Sequence, residues 1–151
     1  MNADTGYELA IERRIAATPA RVWQVWTLQL EQWWAPRPWQ TRVIELDLRP
    51  GGRSCMEMSG PGGEVSVMEG VVLEIVPERR IVFTNAFRAG WIPQTPFMVG
   101  LFSFAADGDG TLYRAASRHW DEATMKQHEE MGFQQGWAQC AAQLAEIAEA
   151  G

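Results

Sequence analysis

The sequence predicts an α+β grip: a curved antiparallel sheet of about seven strands wrapped around a long C-terminal helix, with two short helices after the first strand. Three observations predict it. Short period-two segments separated by Gly- and Pro-rich turns fill the middle of the chain from Val43 to His119. A helical stretch from Asp121 to Ala150 closes the chain. One alternating segment followed by Thr18-Pro19 opens it. An antiparallel sheet with one long helix buries that helix on its concave face, which leaves a space between the two.

Each element has a local reason. Leu9, Ile11 and Ile15 alternate with polar residues and read as a strand. Thr18 is an N-cap and Pro19 fits the first helical position, where its missing N–H costs nothing. Gln29 to Trp34 continues as a second short helix, ended by Pro36 and Pro38. Val43 to Leu48 alternates, with Ile44, Leu46 and Leu48 predicted on one face. Pro50-Gly51-Gly52 turns the chain into Arg53 to Ser59, and Gly60-Pro61-Gly62-Gly63 turns it again. Glu64 to Val76 is a long strand with a bulge or bend expected at Gly70. Arg80 to Phe87, Phe97 to Phe104 and Thr111 to His119 follow, the last two joined by Asp107-Gly108-Asp109-Gly110, a strong hairpin signal. Ala89 to Pro96 is a loop. In the last segment Phe133, Trp137, Cys140, Leu144 and Ile147 share one stripe at 100° per residue. Lys126, Glu129 and Glu130 project the same way in its first half, which is therefore expected to overhang something wetter. Gly132 and Gly136 each weaken a helix by roughly 1 kcal/mol and leave a shallow groove.

Composition narrows the function. The 151 residues are 46% apolar and 21% charged, with a net charge of −6 and no basic block. That is globular composition, and one domain spanning 1–151 is expected, with residues 1–6 as a flexible tail. Phosphate contacts need clustered Lys and Arg, so nucleic acid and anionic membranes are excluded as partners. No apolar run approaches the roughly 20 residues of a membrane span, and the N-terminus has no signal core. Two cysteines are too few for a disulfide scaffold, and a cytoplasmic location is expected. Eight tryptophans are more than a core this size needs, and five fall between Trp23 and Trp39. Some of these indoles are expected to line a cavity.

Several motifs carry a resemblance. They are Ile15-Ala16-Ala17-Thr18-Pro19-Ala20-Arg21-Val22-Trp23, Trp33-Trp34-Ala35-Pro36, Arg49-Pro50-Gly51-Gly52-Arg53, Gly70 to Pro77 with Arg80 to Thr84, and His128 to Trp137. In that order they resemble the SRPBCC superfamily, also called START-like or birch-pollen-allergen-like. Within it the chain is similar to homologues of the activator of the heat-shock-protein ATPase, from Tyr7 to Ala148. The resemblance implies a helix-grip fold with a hydrophobic pocket between sheet and C-terminal helix. It implies binding of lipids, polyketides or other apolar molecules, cyclase or oxygenase roles, or assistance to chaperones in various relatives. The eukaryotic activator carries a separate N-terminal domain, which is expected to be absent here because only a short tail precedes Tyr7.

The residues themselves favour binding over catalysis. His128-Glu129 lacks the second His of a zinc-protease helix, since Gly132 stands there, and two histidines do not close a metal site. No metal or other cofactor is expected. Cys140 lies on the apolar stripe and Cys55 in a strand, with no activating neighbour, so no catalytic residue is assigned. The glycine turn lacks a phosphate loop's Lys, and the Asp-Gly turn lacks calcium-loop spacing. The expected ligand contacts are Trp23, Trp26, Trp34, Met56, Met58, Phe83, Trp91, Phe97, His119, Met125, Glu129, Phe133, Gly136 and Trp137. Glu129, His119 or an indole N–H would orient the ligand's polar end, and Ala89 to Pro96 would gate the site. The expected partner is a small apolar molecule, lipid-like or aromatic. A cavity enzyme of cyclase, dehydratase or hydrolase type with Glu129 or His119 as base, and a chaperone-interacting module, are the alternatives. A homodimer has no sequence support.

Overall fold

A computed structural model describes residues 4–151. Residues 1–3, half of the expected tail, lie outside the described residues. Strand β1 (Tyr7–Ile15) leads into helices α1 (Pro19–Leu28) and α2 (Leu30–Trp33). Strands β2 (Gln40–Leu46), β3 (Arg53–Ser59), β4 (Val65–Val76) and β5 (Arg80–Thr84) follow. A small hairpin, β6 (Phe87–Arg88) and β7 (Ile92–Pro93), precedes β8 (Val99–Asp107) and β9 (Gly110–His119). Helices α3 (Glu122–Glu130) and α4 (Phe133–Ala150) close the chain. Seven strands form one antiparallel sheet in the order β1-β9-β8-β5-β4-β3-β2, and the helices pack on its concave face.

Capping and periodicity explain the helices. The Thr18 side chain accepts the Arg21 N–H, and Pro19 occupies the first turn of α1. Val22, Val25 and Trp26 of α1 and Leu30 and Trp33 of α2 are buried against the sheet. On α4 the buried face is Phe133, Ala141, Leu144, Ala145 and Ala148. Gln143 joins it as a polar clamp: its amide donates to the carbonyls of Trp33 and Ala35 and accepts the Arg37 N–H. The clamp fixes the chain end after α2 against α4. On strand β9 Thr111, Tyr113, Ala115, Ser117 and His119 are all buried on one face, and Ala116 is buried on the other. Period two therefore delivers Ser117 and His119 to the face that carries Tyr113.

Four local expectations are corrected. The C-terminal segment is two helices, because Gly132 takes φ 97°, a left-handed conformation that ends α3 and restarts the chain as α4. The β2 register shifts between Val43 and Glu45, so Ile44 is 41% exposed while Val43 and Leu46 pack on the core. On β4 the register shift lies between Val72 and Glu74 rather than at Gly70. Gly70 is there for another reason: a Cβ on it would sit 2.3 Å from the Thr84 carbonyl oxygen. Finally, β5 stops at Thr84, and the chain beyond it folds into the β6–β7 hairpin, bringing Trp91 to its tip.

Candidate ligand cavity

The helices and sheet do not close completely on each other. Between them lies a cavity of about 640 Å³. Its sheet wall is Phe83, Phe102, Tyr113 and Ala115, continued by Met56 and Met58 of β3. Trp33, Trp34 and Pro36 close one end, and Phe133, Gly136, Trp137 and Cys140 present the α4 side. Asn85, Gln94 and Phe97 border the opposite end, beside the β6–β7 hairpin. The aromatic wall is ordered by mutual packing. Phe102 stacks on Trp137 at 5.7 Å and on Phe83 at 5.5 Å, and Phe133 meets Trp137 at 4.4 Å. Rings held on several sides cannot collapse inward, so the gap persists. A volume of this size lies within the range of small-molecule sites.

Polar groups in the wall are few, and most are engaged. The Asn85 side-chain Oδ1 accepts the N–H groups of Phe97 and Met98, and the Gln94 side-chain amide donates to the main-chain carbonyls of Glu69 and Asn85. Glu69 is held by Arg53, whose guanidinium keeps its carboxyl below the usual range. Burial pushes the Cys140 thiol up to about 12, so it is a neutral wall group and not a nucleophile. The Tyr113 hydroxyl is raised by burial and accepts the Trp26 indole N–H at 3.3 Å. Among the described residues, two buried side-chain atoms lack a partner, Trp33 Nε1 and Thr41 Oγ1.

One titratable group stands apart. His128 is 7% exposed and is the buried residue of α3. Its ring lies against Phe97, Phe133 and Trp137 and forms part of the cavity wall. Its Nδ1 is 2.9 Å from His119 Nε2 and 3.3 Å from Ser117 Oγ. Burial, with His119 beside it, lowers its pKa to about 4. Among the described residues, no group of three or more His, Cys, Asp or Glu is arranged to hold a metal ion.

The residues expected from the sequence divide by position. Trp34, Met56, Met58, Phe83, Phe97, Phe133, Gly136 and Trp137 line the cavity. The others sit elsewhere. Trp26 is in the core behind the wall, and Trp23 packs edge-on against Phe104. Trp91 is 57% exposed and lies over Gly51 rather than over the opening, so in the expected gate it is Gln94 and Thr95 that reach the cavity. Met125 packs on the core, and Glu129 is exposed, outside the wall. His119 stands behind His128 and reaches the cavity through it. Trp33, Phe102, Tyr113 and His128 also line the cavity and are not among the contacts expected from the sequence.

This cavity, under a C-terminal helix on a curved seven-stranded sheet, is the setting for the comparisons with known proteins. The family profile of the activator of Hsp90 ATPase homolog 1-like proteins matches residues 16–149. The chain belongs to that family. The resemblance to the SRPBCC superfamily and the helix-grip fold hold accordingly. A crystal structure from Nitrosomonas europaea is similar at 32% identity and a TM-score of 0.91, covering 99% of this chain and 97% of that one. One from Mycobacterium smegmatis reaches 26% and 0.80, covering 97% and 92%. Another from Chromobacterium violaceum reaches 25% and 0.75, covering 93% and 96%. Among curated proteins none matches the chain. Family members of this kind are associated with hydrophobic ligands or with Hsp90 ATPase activation. No helix among the described residues is long and apolar enough to cross a membrane.

Proposed function

We propose that the protein binds a small apolar or amphipathic molecule in the cavity between the sheet and α4. The observation that carries this reading is the cavity itself: about 640 Å³ walled by aromatic, Met and Ala side chains with few free polar groups. An apolar guest would replace poorly hydrated wall contacts with dispersion contacts. The eight expected residues in the wall, with Trp33, Phe102, Tyr113 and His128, are the proposed contacts. Both cysteines are unpaired, which supports placing the protein in a reducing compartment such as the cytoplasm.

A backbone and indole amide NMR titration with 2-methoxynaphthalene tests the reading. The indole N–H signals of Trp33, Trp34 and Trp137 should shift, while those of exposed Trp91 and Trp120 stay in place. Native mass spectrometry of freshly purified protein should show a retained small molecule. An absence of both would refute the binding reading and favour a protein that acts through its surface on a chaperone.

A further inference from the structure

Resting on the cavity reading, the histidine pair specifies which polar group the guest carries. The proton order in that pair is set from its outer end. His119 Nδ1 lies 2.9 Å from the Tyr7 carbonyl oxygen, which can only accept, so this nitrogen holds a proton. In the neutral ring Nε2 is then a bare lone pair. It faces His128 Nδ1 at 2.9 Å, and two bare lone pairs at that distance would repel. His128 Nδ1 therefore carries a proton and donates it. Ser117 fits the same order. Ser117 Oγ lies 3.0 Å from Met98 Sδ, 3.1 Å from His119 Nε2 and 3.3 Å from His128 Nδ1, so its one hydroxyl proton goes to Met98 Sδ or to the bare His119 Nε2, and in either case its oxygen takes a second share of the His128 proton. In neutral His128 the unprotonated nitrogen is then Nε2. That atom has no protein partner among the described residues and is not one of the sealed unpartnered atoms of the core. Ser117 and His119, toward which Nδ1 points, are outside the cavity wall, whereas His128 is in it.

We infer that His128 Nε2 is a fixed hydrogen-bond acceptor in the cavity, and that the physiological guest is an apolar molecule bearing a hydroxyl or N–H donor, a phenol-like group, rather than a carboxylate. Three features of the wall support the choice. Among the described residues no Lys or Arg lines the cavity, so no cation there offsets the cost of burying an anion. The carboxylate that does line it, Glu69, has the same sign as an acidic guest. Burial among Phe97, Phe133 and Trp137 keeps the His128 ring uncharged, so it offers a lone pair and not a cation.

The test compares three probes of one shape by NMR titration at pH 8, above the ordinary imidazole range. 2-Naphthol has a donor, 2-methoxynaphthalene has none, and 2-naphthoate is an anion. A neutral hydrogen bond is worth about fivefold, so 2-naphthol should bind about fivefold tighter than 2-methoxynaphthalene. 2-Naphthoate should bind more weakly than either. In His128→Phe the preference for 2-naphthol should vanish while 2-methoxynaphthalene still binds. Equal affinities of the first two probes for the wild type, or tightest binding of 2-naphthoate, would overturn the inference and leave the cavity reading standing. If none of the three binds, the cavity reading falls and this inference with it. A second measurement does not depend on the variant folding. Long-range ¹H–¹⁵N imidazole spectra of the unliganded wild type should show His119 and His128 each protonated at Nδ1, and a proton on His128 Nε2 would overturn the assignment.

Discussion

Gly136 gives the sharpest handle on whether the hollow is used. It lies one turn into α4, faces the cavity, and has helical rather than left-handed backbone. A Cβ there would meet Pro36 Cγ at 3.9 Å, an ordinary contact, with no other neighbour within 4 Å. Gly136→Ala should therefore raise stability by roughly 0.5–1 kcal/mol through helix propensity alone. In a chain of this size that is about 2–4 °C in Tm per kcal/mol. Gly136→Trp adds about ten heavy atoms to the same open side. At a close-packed ~15–20 Å³ per atom they occupy ~150–200 Å³, a substantial part of a cavity of about 640 Å³. A guest of about twelve heavy atoms at ~0.4 kcal/mol each binds with about −5 kcal/mol, a Kd near 0.2 mM. The alanine variant should keep that affinity, and the tryptophan variant should lose it by tenfold or more with its dispersed spectrum intact. Thermal unfolding followed by circular dichroism, alongside the 2-methoxynaphthalene titration, reads both quantities. A folded Gly136→Trp protein that binds the probe as the wild type does would refute the cavity as the site. A destabilised Gly136→Ala would refute the open space itself.

Further measurements test other parts of the structure. The folded pKa of His128 lies near 4, below the ordinary 6.5, so the unfolded chain takes up the proton first as pH falls. Its contribution to stability is full above pH 6.5 and is lost between 6.5 and 4. That gap corresponds to about 3 kcal/mol at most, reduced to ~1–2 kcal/mol by water in the open cavity, and urea midpoints at pH 7.5, 6 and 5 should fall accordingly in the wild type but less in His128→Phe. Thr41→Val removes a buried hydroxyl without a partner and should be neutral or stabilising by up to about 1 kcal/mol; a loss above that in urea unfolding would mean the hydroxyl is bonded. Burial raises the Cys55 thiol, so a disulfide-exchange reagent at pH 8 should label Cys55 only once urea unfolds the chain, and fast labelling of Cys55 in the native protein would contradict the packing. Leu144→Ala, at a fully buried position on α4, should cost about 2–5 kcal/mol in the same urea assay, and a loss under 1 kcal/mol would mean that α4 is not anchored through it.

Much of the architecture was legible because local chemistry and global fold agree. Thr18-Pro19 starts α1 where capping rules place it, and the Gly108 turn has φ 61° between β8 and β9. Alternation placed Met56 and Met58 together on one face of β3, and both reach the cavity. The failures are of one kind. On β2 a single extra residue reversed the face of Ile44, because a period-two pattern has no memory across a bulge. Residue type alone groups Trp23, Trp26 and Trp91 with the cavity, and none of the three is in its wall. Which side of a wall an indole occupies depends on long-range packing, and Trp26 reaches across to Tyr113, 87 positions away in sequence.

The histidine site was hidden by the same kind of error on a larger scale. If Asp121 to Ala150 is read as one helix, His128 lies five residues before Phe133, about 140° off the apolar stripe, and Glu129, Glu130 and Lys126 fall on it. Gly132, at φ 97°, breaks that reckoning. The chain turns between α3 and α4, and α3 presents His128 inward while Glu129, Glu130 and Lys126 all stay exposed. Glycine is the residue that makes such a turn cheap, and it was visible in the sequence as a helix-weakening residue within the stripe. Two periodicities then converge on one spot. The period-two run of β9 carries Ser117 and His119 to the concave face, and the reoriented α3 carries His128 to meet them. The polar end of the cavity is thus made by a strand pattern and a helix break acting together, which is why neither segment, read separately, disclosed it.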